Sequence, residues 1–162
     1  MNYAKAQKEI VTELLKGGKG GRFRVDENNI LVSPNGFMAY IFPLTSIVFN
    51  LEKINEITAF PVCEIVKPEN ELTLTPDLRL DAVFSKKAFR RLKGKGKNVF
   101  VNAKFLECFQ NPKFFQAESN LSPIVVTERF SSKDECGTPV GVILPIRSSW
   151  DDGSYYGDTE RV

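Results

Sequence analysis

Apolar residues recur at three- and four-residue spacing at the start of the chain. Tyr3, Ala6, Ile10 and Leu14, with Val11 and Leu15, share one side, while Lys5, Lys8, Glu9, Thr12, Glu13 and Lys16 fall mostly on the other. That period predicts an amphipathic helix over 3–16. The glycine-rich "GGKGG" at 17–21 stops it. The pattern then changes to short apolar runs separated by turn residues. "RFRV" (22–25), "ILVS" (30–33) and "FMAYIF" (37–42) read as strands. Between the last two, Ser33-Pro34-Asn35-Gly36 puts proline at the second position of a β-turn. "SIVFNL" (46–51) predicts a fourth strand, and 52–71 reads as a connector.

The second half repeats this order. "LTLTPDLRLDAVF" (72–84) suggests strands broken at Thr75-Pro76-Asp77, and "NVFV" (98–101) is another short strand. Asn102 is placed to cap a helix over 103–109, with Phe105, Leu106 and Phe109 inward and Asn111-Pro112 as its stop. "KFFQAE" (113–118), "PIVVTERF" (123–130) and "PVGVILPI" (139–146) follow as strands. Each half is thus a helix followed by a three-strand meander. Each meander ends on an apolar-Pro-apolar step, Phe42-Pro43-Leu44 and Leu144-Pro145-Ile146. Proline cannot donate to a ladder, so it marks a strand end. The expectation is an α+β fold of two similar units.

Composition narrows the chemistry. The 162 residues suit one domain, and no apolar run reaches the length of about 20 that a membrane helix needs. The start lacks the long apolar segment of a secretory signal. Cys63, Cys108 and Cys136 are dispersed, without CxxC spacing, as in reduced cytoplasmic proteins. There is no histidine, which excludes Ser-His-Asp and Cys-His catalysis and removes the commonest metal ligand. "GGKGG" lacks the GxxxxGK[ST] spacing of a phosphate-binding loop. The carboxylate pairs Asp134-Glu135, Asp151-Asp152 and Glu69/Glu71 sit in loop-like sequence, and none has EF-hand spacing. A small enzyme is therefore the weakest reading, and no catalytic residue, metal or cofactor is expected. Net charge is only +2, but its distribution is uneven. Residues 148–162 carry four acids against one arginine, a net of −3, which leaves +5 on the body. "KKAFRRLKGKGK" (86–97) holds seven basic groups and no acid.

The stretch "VNAKFLECFQNPKFFQAESNLSPIVVTERFSSKDECGTPVGVILPIR" (101–147) resembles the last domain of bacterial DNA polymerase III beta subunits, the sliding clamps. Ser122-Pro123 lead the middle strand, and Leu144-Pro145-Ile146-Arg147 match that family's closing Pro step. "SPNGFMAYIFP" in the first half fits more loosely. The resemblance implies a single DNA-clamp-like domain over 1–147, two helix-plus-antiparallel-meander units related by a pseudo-twofold. It also implies a role as a non-enzymatic DNA-replication accessory. The chain has the length of one clamp domain, where a clamp subunit has three, so it departs from the family's ring. Residues 148–162 are a second departure, an acidic, aromatic tail where clamps stop.

Two basic sets could meet double-stranded DNA weakly and in a salt-dependent way. Lys86, Lys87, Arg90, Arg91, Lys93, Lys95 and Lys97 form a glycine-spaced loop, with Phe89 and Leu92 as its anchors to the core. Lys5, Lys8, Lys16 and Lys104 stand where the resemblance puts the helix residues that line a clamp's hole, though Glu9, Glu13 and Glu107 dilute that face. The alternative is a clamp-fold interaction module without nucleic acid, of phage or mobile-element type. Its partners would be replication proteins or further copies of itself, with the tail as ligand or self-cover.

Overall fold

The computed structural model describes residues 1–16, 21–52, 54–56, 66–75, 89–129 and 135–146. The first element is helix α1 (Tyr3–Leu15). Asn2 caps it, its side chain accepting from the Lys5 N–H at 3.0 Å. Ala6 and Ile10 enter the core as the helical period predicts. The strands are β1 (Arg22–Asp26), β2 (Asn29–Ser33), β3 (Met38–Pro43), β4 (Asn55–Glu56), β5 (Glu71–Leu74), β6 (Phe89–Gly94), β7 (Lys97–Asn102), β8 (Lys113–Gln116), β9 (Ile124–Glu128) and β10 (Thr138–Ile143).

These strands form one open sheet in the order β4-β1-β2-β3-β10-β9-β8-β5-β6-β7. All pairings are antiparallel except the short β1–β4 contact at one edge. The α+β class is as expected. The two apolar-Pro runs are central neighbours: Met38, Ala39 and Tyr40 of β3 lie opposite Ile143, Val142 and Gly141 of β10. Meander β1-β2-β3 lies on one side of this seam, with β4 beyond it, and meander β10-β9-β8 lies on the other, with β5, β6 and β7 beyond it. Pro43 ends β3, and Pro145 follows the end of β10.

The sheet centre is covered on both faces. Every residue of β9 is buried. One face packs Ile30, Val32, Tyr40 and Phe42 against Ile10, and the core continues to Leu72, Leu92, Val101 and Phe114. The opposite face carries a smaller cluster of Leu31, Ala39 and Val142. The chain beyond β10 also reaches the far end of the strand order. The Ile146 N–H donates to the Phe100 carbonyl of β7 at 2.8 Å.

Two expected elements are corrected. No strand forms over 46–51, where a 3-10 turn (Leu44–Ser46) leads into irregular chain. Buried Gln7 takes the backbone groups a ladder would need. Its Nε2 donates to the Ser46 carbonyl and its Oε1 accepts from the Val48 N–H, both at 2.9 Å. The second helix is also absent. Asn102 does cap the segment, accepting from the Lys104 N–H at 3.1 Å, but only a 3-10 turn (Ala103–Leu106) follows. A helix over 103–109 would leave the Cys108 carbonyl without a partner inside the helix. That carbonyl instead accepts from Asn2 N–H at 2.9 Å, and Asn111 turns left-handed at φ 48°. The repeat holds for the meanders and fails for the helices. The strands expected within 76–84 and the tail 148–162 lie outside the described residues.

Candidate nucleic-acid interface

The basic stretch is built on the β6–β7 hairpin, in register from Phe89 opposite Asn102 to Gly94 opposite Lys97. Strand alternation sets which side chains are held and which are presented. Leu92 is fully buried and lies opposite Val99, also buried, so the expected anchor is in place. Arg91 and Lys93 flank Leu92 and project to the other face. Lys95 and Gly96 make the turn. Gly96 has φ +71°, and a Cβ there would meet nothing within 4 Å, so its backbone conformation alone selects glycine.

The structure sorts the predicted residues by what already holds them. Arg90 and Arg91 both clasp Thr75. Arg90 Nη2 donates to its carbonyl at 3.1 Å, and Arg91 Nε donates to its hydroxyl at 3.3 Å. Lys97 donates to the Ala117 carbonyl at 2.6 Å, and partial burial pushes its pKa below the usual lysine range, against the attraction of Glu118. Lys93 and Lys95 are exposed and make no ion pair among the described residues. Lys86 and Lys87 lie outside the described residues. A cleft of about 320 Å³ flanks the hairpin, lined by Lys95 and Lys97 and also by Glu69, Glu71 and Glu118.

The helix set is largely neutralised by its neighbours. Lys5 pairs with Glu107 at 3.1 Å and Lys16 with Glu13 at 2.9 Å. Lys104 lies 3.6 Å from Glu9 and 3.5 Å from Glu13. Lys8 is exposed and makes no ion pair among the described residues. It stands beside an apolar groove of about 590 Å³ between α1 and residues 48–49, whose walls include Tyr3, Val11, Val48 and Phe49.

One cluster escaped the sequence reading. The Tyr40 hydroxyl donates to Glu9 Oε2 at 2.6 Å, and the Cys108 Sγ donates to the same oxygen at 3.3 Å. Tyr40 and Cys108 are fully buried, and burial pushes both pKa values up. Both groups are thus held protonated, the opposite of what activates a nucleophile. The cluster ties α1 to β3 and to the chain before β8. Its only sequence signal was a glutamate adjacent to core residue Ile10. The Met1 nitrogen makes a further buried contact, with the Glu128 carboxylate.

Among the described residues, no three His, Cys, Asp or Glu side chains converge to hold a metal ion, and no helix is long and apolar enough to cross a membrane. No protein-family model, curated protein or solved structure matches the chain. The resemblance to sliding clamps therefore rests on the quoted residues alone.

Proposed function

We propose that the chain is a non-enzymatic, clamp-like binding module that meets the phosphate backbone of duplex DNA through the β6–β7 hairpin. The observation that carries this reading is the contrast between the two basic sets. Three of the four helix lysines, Lys5, Lys16 and Lys104, face glutamates and only Lys8 makes no ion pair among the described residues, whereas both Lys93 and Lys95 are exposed on a ribbon anchored by buried Leu92. Unpaired lysines release condensed counterions from DNA, which gives sequence-independent, salt-sensitive affinity. The ion-paired helix face is ill suited to line a DNA hole, so this reading needs no ring.

Fluorescence anisotropy with a labelled duplex, from about 50 to about 200 mM salt, tests it. Log affinity should fall linearly with log salt. Lys93→Ala and Lys95→Ala should each reduce that slope by about 1, with little effect of Lys5→Ala. No binding at the lowest salt, or slopes unchanged in both hairpin variants, would overturn the reading. The groove beside α1 favours a second reading, an interaction module without nucleic acid, because Val48 is 86 % exposed on its apolar wall. In that case light scattering should find a self-associated particle, indifferent to DNA at every salt and dissociated by Val48→Asp.

A further inference from the structure

We propose that the cleft beside the β6–β7 hairpin binds a small organic cation that carries N–H donors, an alkylammonium or a guanidinium. The inference does not rest on the duplex reading, and its test uses no DNA.

Strand register brings four strand ends together at this cleft. Glu71 opens β5 opposite Phe115 of β8, and Gln116 closes β8. Gly94 closes β6 opposite Lys97, which opens β7. These four ends line a space of about 320 Å³.

Gln116 shows what the cleft lacks. It is 1 % exposed. Its Nε2 donates to the Asn120 carbonyl at 3.2 Å and to the Ser122 carbonyl at 2.8 Å. Both N–H bonds are thus used, and they fix the amide one way round, because exchanging its two ends would set oxygen against two carbonyls. Oε1 is the remaining polar end. It is buried and has no hydrogen-bond partner among the described residues. Buried amide oxygens are normally paired, so this one calls for a donor. Lys97 does not supply it, since its Nζ donates to the Ala117 carbonyl at 2.6 Å.

The carboxylates around Gln116 select a cation. Glu69, Glu71 and Glu118 line the same cleft. Lys113 answers Glu71 at 3.3 Å, whereas Glu69 and Glu118 are exposed and make no ion pair among the described residues. Against these two stands Lys95 on the hairpin turn. The acids do not converge as metal ligands do. An organic cation fits better: its N–H meets Oε1, its charge meets Glu69 and Glu118, and its carbon stem lies on buried Leu72.

NMR titration of the full chain with putrescine and, separately, with methylguanidine tests this. Binding should saturate and should shift the side-chain carbonyl carbon of Gln116, which reports a new hydrogen bond at Oε1. Tetramethylammonium carries the charge without an N–H and should bind about tenfold more weakly. Glu69→Gln and Glu118→Gln are exposed and isosteric, so each should weaken binding by about threefold while leaving the thermal midpoint unchanged. Saturation by only one of the two probes would uphold the site and name its class. A Gln116 carbonyl that neither probe moves, or unchanged affinity in both glutamate variants, would overturn the proposal. Tetramethylammonium or Mg²⁺ binding as tightly as the better probe would do the same, because the glutamates would then act as a plain negative surface.

Discussion

Gly141→Ala pushes a methyl group into the central seam of the sheet. Gly141 faces Tyr40 across β3–β10, beside a register shift in the β9–β10 pair between Pro139 and Gly141. A Cβ there would stand 2.6 and 2.8 Å from Cζ and Cε1 of Phe109, and 2.9 Å from the Ala39 carbonyl oxygen. Favourable contact between carbons begins at about 3.5 Å, so the ring must retreat by most of an ångström. It is buried and packs on Tyr40 at a centroid distance of 5.7 Å, while the Ala39 oxygen belongs to the β3 backbone. Neither yields cheaply. Overpacking of this kind costs about 1–3 kcal/mol. For a chain of this size each kcal/mol lowers the midpoint of thermal unfolding by about 2–4 °C. Urea denaturation followed by circular dichroism measures the loss directly. Phe109→Leu removes the ring that the methyl meets, so the double variant should be less damaged than the sum of the singles by at least about 0.5 kcal/mol. A Gly141→Ala protein as stable as the parent, or strict additivity with Phe109→Leu, would refute the packing of Phe109 against β10.

Two further outcomes follow from the core. Burial raises the Cys108 thiol above its ordinary value of 9.0 and the Tyr40 hydroxyl above its ordinary value of 10.0. Each group binds its proton more tightly in the folded than in the unfolded chain. Their contribution is therefore complete below about pH 9 and is lost as pH rises beyond it. The thermal midpoint should decline above about pH 9, less steeply in Tyr40→Phe, and alkylation mapped by mass spectrometry should modify Cys136 before Cys108; an equal slope in both proteins would contradict this. Leu92→Ala empties a fully buried site under the hairpin and should cost about 2–5 kcal/mol in urea denaturation. A loss below about 1 kcal/mol would mean that the hairpin is not anchored through Leu92.

Much of the local structure was legible from residue order alone. The three- and four-residue spacing placed α1 within a residue of its bounds, and the apolar runs located the strands of both meanders. Pro43, Pro145 and the Asn102 cap marked the ends they were expected to mark. These signals are local, because helix period, turn chemistry and a missing proline N–H act within a few residues of their source. The elements that departed from expectation were decided by partners far along the chain. Gln7 takes the backbone of Ser46 and Val48, and Asn2 takes the carbonyl of Cys108. A periodic pattern states a preference worth tenths of a kcal/mol per residue, and one buried, doubly bonded amide outweighs it.

The candidate site divides in the same way. The basic cluster over 86–97, its Leu92 anchor and its glycine turn could be read from sequence. Which cations stay available could not. Glu107 reaches Lys5, and Glu9 and Glu13 reach Lys104, only once α1 is laid beside the 103–106 turn, whereas Lys16 meets Glu13 locally; Thr75 meets Arg90 and Arg91 only through the β5–β6 pairing. The meeting of Glu9 with Tyr40 and Cys108 likewise needs three segments brought together. Sequence thus determined which segments are helical, extended or basic, because those properties depend on neighbours in the chain. Tertiary structure decided which charges are spent on one another and which two strands form the seam, because pairing depends on neighbours in space.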